Sequence, residues 1–309
     1  MQKVWSISGR SIAVSALALA LTACQSMRGP EPVAQANIPE QGYLTDVSGP
    51  SIAEQGYKDF FADQRLLQVL DLALANNRDL RTSTLNIQRA QQQYQITENN
   101  QLPTIGASGG VLRQDTLSSQ KPITSYNVGL GVTAYELDFW GRVRSLKDNA
   151  LDSYLATSSA RDATQIALIG QVAQAWLNYS FANANLKLAD QTLKAQLESY
   201  NLNKKRFDVG IDSEVPVRQA QISVETARND VANYKTQIAQ AKNLLNLLVG
   251  QQVPENLLPN QRVTRISKSN ALSAGLPSDL LNNRPDVRAA EYKLSAAGAS
   301  ISAAEARMF

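Results

Sequence analysis

The sequence predicts a mostly α fold with a small β part: a long α-helical hairpin and a β-hairpin, on a duplicated plan whose second copy is incomplete. Three observations carry this. The run between Gly141 and Gly210 holds one glycine, Gly170, and no proline. From Tyr126 onward, apolar and small residues alternate with a period of two. The stretch Asn76-Asn77-Arg78-Asp79-Leu80-Arg81 recurs, with one insertion, as Asn282-Asn283-Arg284-Pro285-Asp286-Val287-Arg288.

Composition narrows the class first. The chain of 309 residues is 43% apolar and 18% charged, which excludes a disordered chain and a polytopic helical membrane protein. Thirty basic residues against 27 acidic ones give +3, too mild a charge to argue nucleic-acid binding. There is no histidine, which removes imidazole bases, Ser-His-Asp triads and His-containing zinc sites. The single cysteine, Cys24, permits no disulfide within the chain and no CxxC site. No cofactor or metal motif is found, and no catalytic residue is assigned.

Lys3 and Arg10 precede an apolar stretch from Ile12 to Leu21, then Leu21-Thr22-Ala23-Cys24. A cationic start, a short apolar core and a small residue before the cut site read as a secretory signal over 1–23. A membrane anchor would need about 20 apolar residues. Leu-Thr-Ala-Cys also resembles a bacterial lipobox, which makes Cys24 the expected lipidation site and first mature residue. Pro30, Pro32, Pro39 and Pro50 lie among polar residues, so 24–63 reads as an extended, lipid-anchored tether.

Leu66, Leu67, Leu70, Leu74 and Leu80 recur at helical spacing in a stretch free of proline and glycine, which predicts a helix over 64–101 that Pro103 ends. A β-hairpin over 103–140 follows. Tyr126, Val128, Leu130, Val132 and Ala134 form one apolar face, and Asn127, Gly129, Gly131, Thr133 and Tyr135 the other. Residues 103 to 116 alternate less cleanly, with a join near Ser118 to Pro122. The strands exceed the usual five or six residues. The pattern fits a soluble hairpin, and equally a membrane hairpin with about 9–11 residues per strand, apolar outward.

Helices are predicted over 142–209 and 214–249. The first would be about 100 Å long at 1.5 Å per residue. Its apolar positions, Ile169, Val172, Trp176 and Tyr179, then Leu186, Ala189, Leu193, Leu197 and Tyr200, step by threes and fours, as in a coiled coil. The second run, free of glycine and proline from Val217 to Val249, folds back after a short turn. In that turn Gly210 suits positive φ, and Asp212 or Ser213 suits a helix cap. Asn76 to Asp79 and Asn282 to Asp286 read as turn-and-cap chemistry at helix starts. Tyr135 and Trp140 read as interfacial aromatics or as core. Glu136 and Asp138, taken as two acids facing one way on a strand, are weak grounds for hydrolysis.

Aligning Arg81 with Arg288 and Glu98 with Glu305 gives a period of about 207 residues, a duplicated domain rather than a solenoid. The region 64–270 is then a first repeat and 271–309 the start of a truncated second. By that logic roughly 150 residues of the second copy are absent, and the 309-residue chain alone is expected not to form a working barrel.

Three motifs together resemble the outer-membrane factor family, the TolC-like exit ducts of tripartite efflux pumps, in its lipoprotein branch. Tyr135-Glu136-Leu137-Asp138-Phe139-Trp140-Gly141-Arg142 is similar to the family's strand-to-helix passage, and Asn282 to Glu291 to its Asn-Arg-Pro-Asp signature. Arg206-Phe207-Asp208-Val209-Gly210-Ile211-Asp212-Ser213 is similar to the turn at the far end of its first long hairpin. The resemblance implies a homotrimeric α/β barrel in the full-length family, in which each chain gives four strands to one β-barrel and helices to a tunnel across the periplasm. It implies a cell-outer-membrane location, through the lipid anchor and the barrel, and efflux of drugs and other small molecules. It also implies two partners, a periplasmic adaptor and an inner-membrane RND pump, and no nucleic acid. Arg206, Phe207, Asp208, Gly210, Ile211, Asp212 and Ser213 would form the adaptor-docking tip, although capping alone also explains the turn. The residues leave two other readings. A helical-hairpin adaptor or scaffold lipoprotein would need a β-rich body around the hairpin. A carboxylate-based envelope enzyme would need a pocket. The duct fits the duplicated helical plan best.

Overall fold

A computed structural model describes residues 56–114, 122–268 and 283–308. The signal segment, Cys24, most of the tether, the hairpin join at Ser118 to Lys121 and Asn282 lie outside the described residues. In chain order the elements are α1 (Tyr57–Phe60), α2 (Gln64–Asn76), α3 (Arg78–Asn99), β1 (Thr104–Gln114), β2 (Ile123–Ala134), α4 (Arg142–Asp208), α5 (Glu214–Val249), a 3-10 turn (Glu255–Leu257) and α6 (Pro285–Ala306). They form two compact units: one has 85–114, 122–160 and 285–308, the other 56–84, 161–268 and 283–284.

The helix expected over 64–101 is two helices. Asn77 adopts extended backbone (φ −61°, ψ 130°) between α2 and α3. Its N–H closes α2 onto Ala73 O, and its side-chain oxygen accepts the Leu80 N–H at 2.8 Å, capping α3. Its Nδ2 donates to Leu248 O at 2.7 Å. One asparagine therefore ends a helix, starts another and binds the end of α5. The turn-and-cap reading of Asn76 to Asp79 describes this junction; the unbroken helix does not.

In the second unit, α2 presents Leu66, Leu67, Val69, Leu70 and Ala73 to a core shared with Leu168, Val172, Ala173 and Trp176 of α4 and with Leu245 and Val249 of α5. Trp176 is fully enclosed, and its Nε1 donates to Leu257 O at 3.0 Å. The Arg65 guanidinium lies 5.7 Å from its ring centre. Asp63 caps α2 through Arg65 N at 2.8 Å and pairs with the Arg65 side chain at 2.8 Å. That guanidinium holds the Asp63 carboxyl below the usual aspartate range, against partial burial.

A strap absent from the sequence reading, residues 253–268, closes this core. Ser180, fully buried, donates to Gln261 O and accepts from Val263 N. Ala62 N bonds Ile266 O and Lys268 N bonds Phe60 O, a two-residue antiparallel bridge. Toward the turn, Val217, Ala220, Val224, Ala227 and Val231 make the buried row of α5. Their alternating three- and four-residue steps are a coiled-coil seam. α5 ends at Gly250 (φ 82°), where a Cβ would lie 2.5 Å from Asn76 O, so only glycine fits both the turn and the approach.

In the first unit, α6 buries Ala289, Ala296 and Ala303, one every seven residues. Asn149 of α4 donates to Ala296 O and Ser300 Oγ, and Ser295 donates to Asp152 at 2.6 Å. β1 and β2 form a two-stranded antiparallel sheet.

Candidate functional site

Two places stand out. The first is the hairpin. Its register sets Ile105 opposite Val132, Ala107 opposite Leu130, Gly109 opposite Val128 and Val111 opposite Tyr126. Cross-strand partners share a face, so these eight residues make one apolar surface. Its large side chains are 62% (Val132) to 91% (Val128) exposed. The opposite face pairs Gly106 with Gly131, Ser108 with Gly129 and Gly110 with Asn127. A Cβ at Gly110 would lie 2.7 Å from Asn127 Oδ1, so glycine there makes room for the amide.

The sequence-predicted row of Tyr126, Val128, Leu130 and Val132 is thus assembled and doubled by β1, whose contribution sequence reasoning missed. Gly109 occupies an apolar slot and Leu112 a polar one, which blurs the alternation of β1. The parity of Ile105, Ala107 and Val111 was the available signal. Ala134 pairs with Thr104 beyond a register shift, outside this phase.

The strand-to-helix passage follows. β2 ends at Ala134, so Glu136 and Asp138 are not on a strand. Glu136 pairs with both Nε and Nη2 of Arg142. Asp138 accepts the Val143 and Arg144 N–H groups at 3.1 and 2.9 Å, capping α4. Gly141 turns the chain at φ 78°. Both carboxylates are engaged in starting the helix. Tyr135 and Trp140 are exposed, which removes the core alternative.

The second place is the turn from Arg206 to Ser213. Gly210 sits at φ 75°; its N–H donates to Phe207 O, and the Ile211 N–H donates to Arg206 O. These are the two bonds of a Schellman motif. Asp212 pairs with Arg206 at 2.7 Å, and Ser213 holds the N-cap position of α5 without a side-chain cap bond. Asp212 therefore ties the turn together, and neither residue caps through its side chain as the sequence suggested. Asp208 ends α4. Phe207, Val209, Ile211 and Val215 are exposed around the turn; Val209 and Val215 were missing from the predicted tip.

Among the described residues no group of acids could hold a metal ion, and no helix is long and apolar enough to cross a membrane. What the geometry defines is a long α-helical hairpin and, separately, a two-stranded β-hairpin with one face that is apolar from Ile105 and Val132 to Val111 and Tyr126.

Residues 69–251 match the outer membrane efflux protein family, and the chain belongs to it. It is 41% identical over 271 residues to the toluene efflux pump outer membrane protein TtgC of Pseudomonas putida, covering 86% of this chain and 56% of that one. A membrane protein of Pseudomonas aeruginosa superposes with a TM-score of 0.79 at 35% identity, over 92% of this chain and 65% of its own. The open-state MtrE outer membrane channel of Neisseria gonorrhoeae gives 0.76 at 37% identity, over 92% and 63%. The chain thus spans a little over half the length of such a curated relative.

Proposed function

We propose that this chain supplies the first repeat of an outer-membrane exit duct, through which a tripartite pump passively releases drugs and other small molecules. The observation that carries the reading is the hairpin: one face is apolar and exposed from Ile105 and Val132 to Val111 and Tyr126, and the other is mostly glycine, serine and asparagine, with Leu112 and Ile123 toward its far end. That is the division a barrel strand needs between lipid and lumen. An open strand edge leaves backbone groups unpaired in hydrocarbon, at several kcal/mol each, so the two strands must join others, in a homotrimer, to close. Cys24 acylation would hold the chain at the outer membrane. The exposed apolar residues around the Schellman turn would meet the periplasmic adaptor, which links the duct to the inner-membrane RND pump.

The test is complementation. Residues 1–309, signal included, joined to the remaining carboxy-terminal part of TtgC should restore export of a fluorescent efflux substrate to a strain lacking its duct. The protein should resist carbonate extraction from outer-membrane fractions, and mass spectrometry should find acylated Cys24. A stable fusion that washes off membranes and exports nothing overturns the reading.

A further inference from the structure

We infer that Arg113, Thr124 and Tyr126 form a lipid-phosphate site at the end of the hairpin remote from the helices, in the outer leaflet of the outer membrane. The inference rests on the duct reading of the hairpin and adds a ligand to it. It starts from an exchange between the two faces at one level. On the outward face, the apolar pairs from Ile105 and Val132 to Val111 and Tyr126 are followed by Arg113 opposite Thr124. On the other face, the glycine, serine and asparagine pairs give way to Leu112 opposite Ser125 and Ile123 opposite Gln114. The ladder runs without a shift from Ile105 to Gln114, so a slipped register does not cause the exchange. The surroundings change there instead.

The level fits a bilayer boundary. Steps of about 3.3 Å carry the strand roughly 26 Å from Ile105 to Arg113. At a barrel tilt of about 35–45° this is roughly 19–22 Å of height, against an apolar band of about 25 Å. The band thus closes near Arg113, where headgroup phosphates stand. Arg113, Thr124 and Tyr126 are all exposed, and none bonds another side chain among the described residues. A guanidinium is a planar fork that takes a phosphate through two parallel N–H bonds. Thr124 stands directly opposite it and Tyr126 diagonally, within reach of a long side chain. Their two hydroxyls can donate to the oxygen atoms that the fork leaves open. The apolar pairs beside the site would lie along the acyl chains of the same molecule, which favours a lipid over a free phosphate ion.

The test uses the fusion completed with the carboxy-terminal part of TtgC, in which the barrel can close. The trimer is stripped of lipid in detergent and titrated, by native mass spectrometry, with lipid A (a bisphosphorylated glycolipid), phosphatidylglycerol or inorganic phosphate. Lipid A should bind, and Arg113→Gln should weaken it about tenfold, the worth of one charge-assisted contact. Thr124→Val and Tyr126→Phe should cost less. Lipid A stripped of its phosphates should not distinguish the parent from Arg113→Gln. Equal binding of phosphatidylglycerol assigns the site to lipid phosphate in general, and weaker binding assigns it to the glycolipid. Inorganic phosphate that binds as tightly as either lipid overturns the lipid assignment. Failure of both lipids to bind overturns the site. So does parent-like binding by an Arg113→Gln trimer that still exports the fluorescent substrate, and the duct reading then stands. A fusion that forms no outer-membrane trimer overturns both. If Arg113→Gln does not assemble, Arg113→Lys, a point charge without the fork, takes its place and should bind lipid A more weakly than the parent; parent-like binding overturns the site.

Discussion

Val172 and Val128 are the same residue in one chain, and they meet opposite surroundings. Val172 is fully enclosed within the helical core, and Val128 is 91% exposed on the hairpin. In the first region α2, α4, α5 and the strap converge, so each buried aliphatic or aromatic side chain gains about 1.5–3 kcal/mol by leaving water. In the second, two long strands pair only with each other, and every large residue of the apolar row faces outward. An isolated two-stranded hairpin is marginal in water. The helical unit carries its own apolar environment; the hairpin must find one outside the chain.

The hardest way to break this contrast is Trp176→Ala. It should cost about 3–5 kcal/mol and strand the Leu257 carbonyl, visible as a lowered denaturation midpoint followed by circular dichroism. Membrane association of the hairpin should not follow it. The converse is Leu130→Arg, which, in the fusion completed with the carboxy-terminal part of TtgC, should weaken bilayer insertion by about 2–4 kcal/mol and leave the midpoint of the helical region unchanged. Vesicle flotation with parallel denaturation would separate the two; a shared loss in both assays would show that the regions do not differ as described.

Two glycines sharpen the comparison inside the helical region. Gly210→Ala meets only backbone strain, about 1–2 kcal/mol, because open space surrounds it. Gly250→Ala meets the same strain and a carbonyl 2.5 Å away, so its midpoint should fall further. Equal shifts would mean that the α2–α5 junction yields easily.

The smallest effect is acidic. Arg65 depresses the folded-state titration of Asp63, so this carboxylate stabilises the fold above the ordinary aspartate value of about pH 4. That contribution is lost as pH falls through the depressed value. Asp63→Asn should flatten the pH dependence of stability in that acid window and leave its slope near neutrality unaltered.

Sequence legibility followed how local each cause is. The helices α4 and α5 could be read because long proline- and glycine-free runs with a three-four rhythm need no distant partner. Gly210 could be read because its Schellman turn is closed by the neighbouring Arg206 and Phe207 carbonyls. The break at Asn77 was half legible: Asn76 to Asp79 read as turn-and-cap chemistry, yet the helix was carried through it. Its stabilising bond runs to Leu248, 171 residues away. The strap at 253–268 was hidden for the same reason, since Ser180 and Trp176 hold it through backbone carbonyls with no side-chain signature. At the candidate sites one strand of the face was visible; its partner emerged only with the register.

The alanine ladder of α6 has a consequence for uniqueness. Ala289, Ala296 and Ala303 are interchangeable rungs, and sliding the helix by one seven-residue step, about 10 Å, would lay alanine on alanine again. Nothing in the methyl groups distinguishes the three settings. Ser300, which accepts from Asn149, does distinguish them, because a slide would bring Lys293 or Arg307 to its place. Polar pegs, Ser300 on Asn149 and Ser295 on Asp152, thus act as the detent of a vernier: the small residues permit the close fit, and the pegs choose where along the scale it stops.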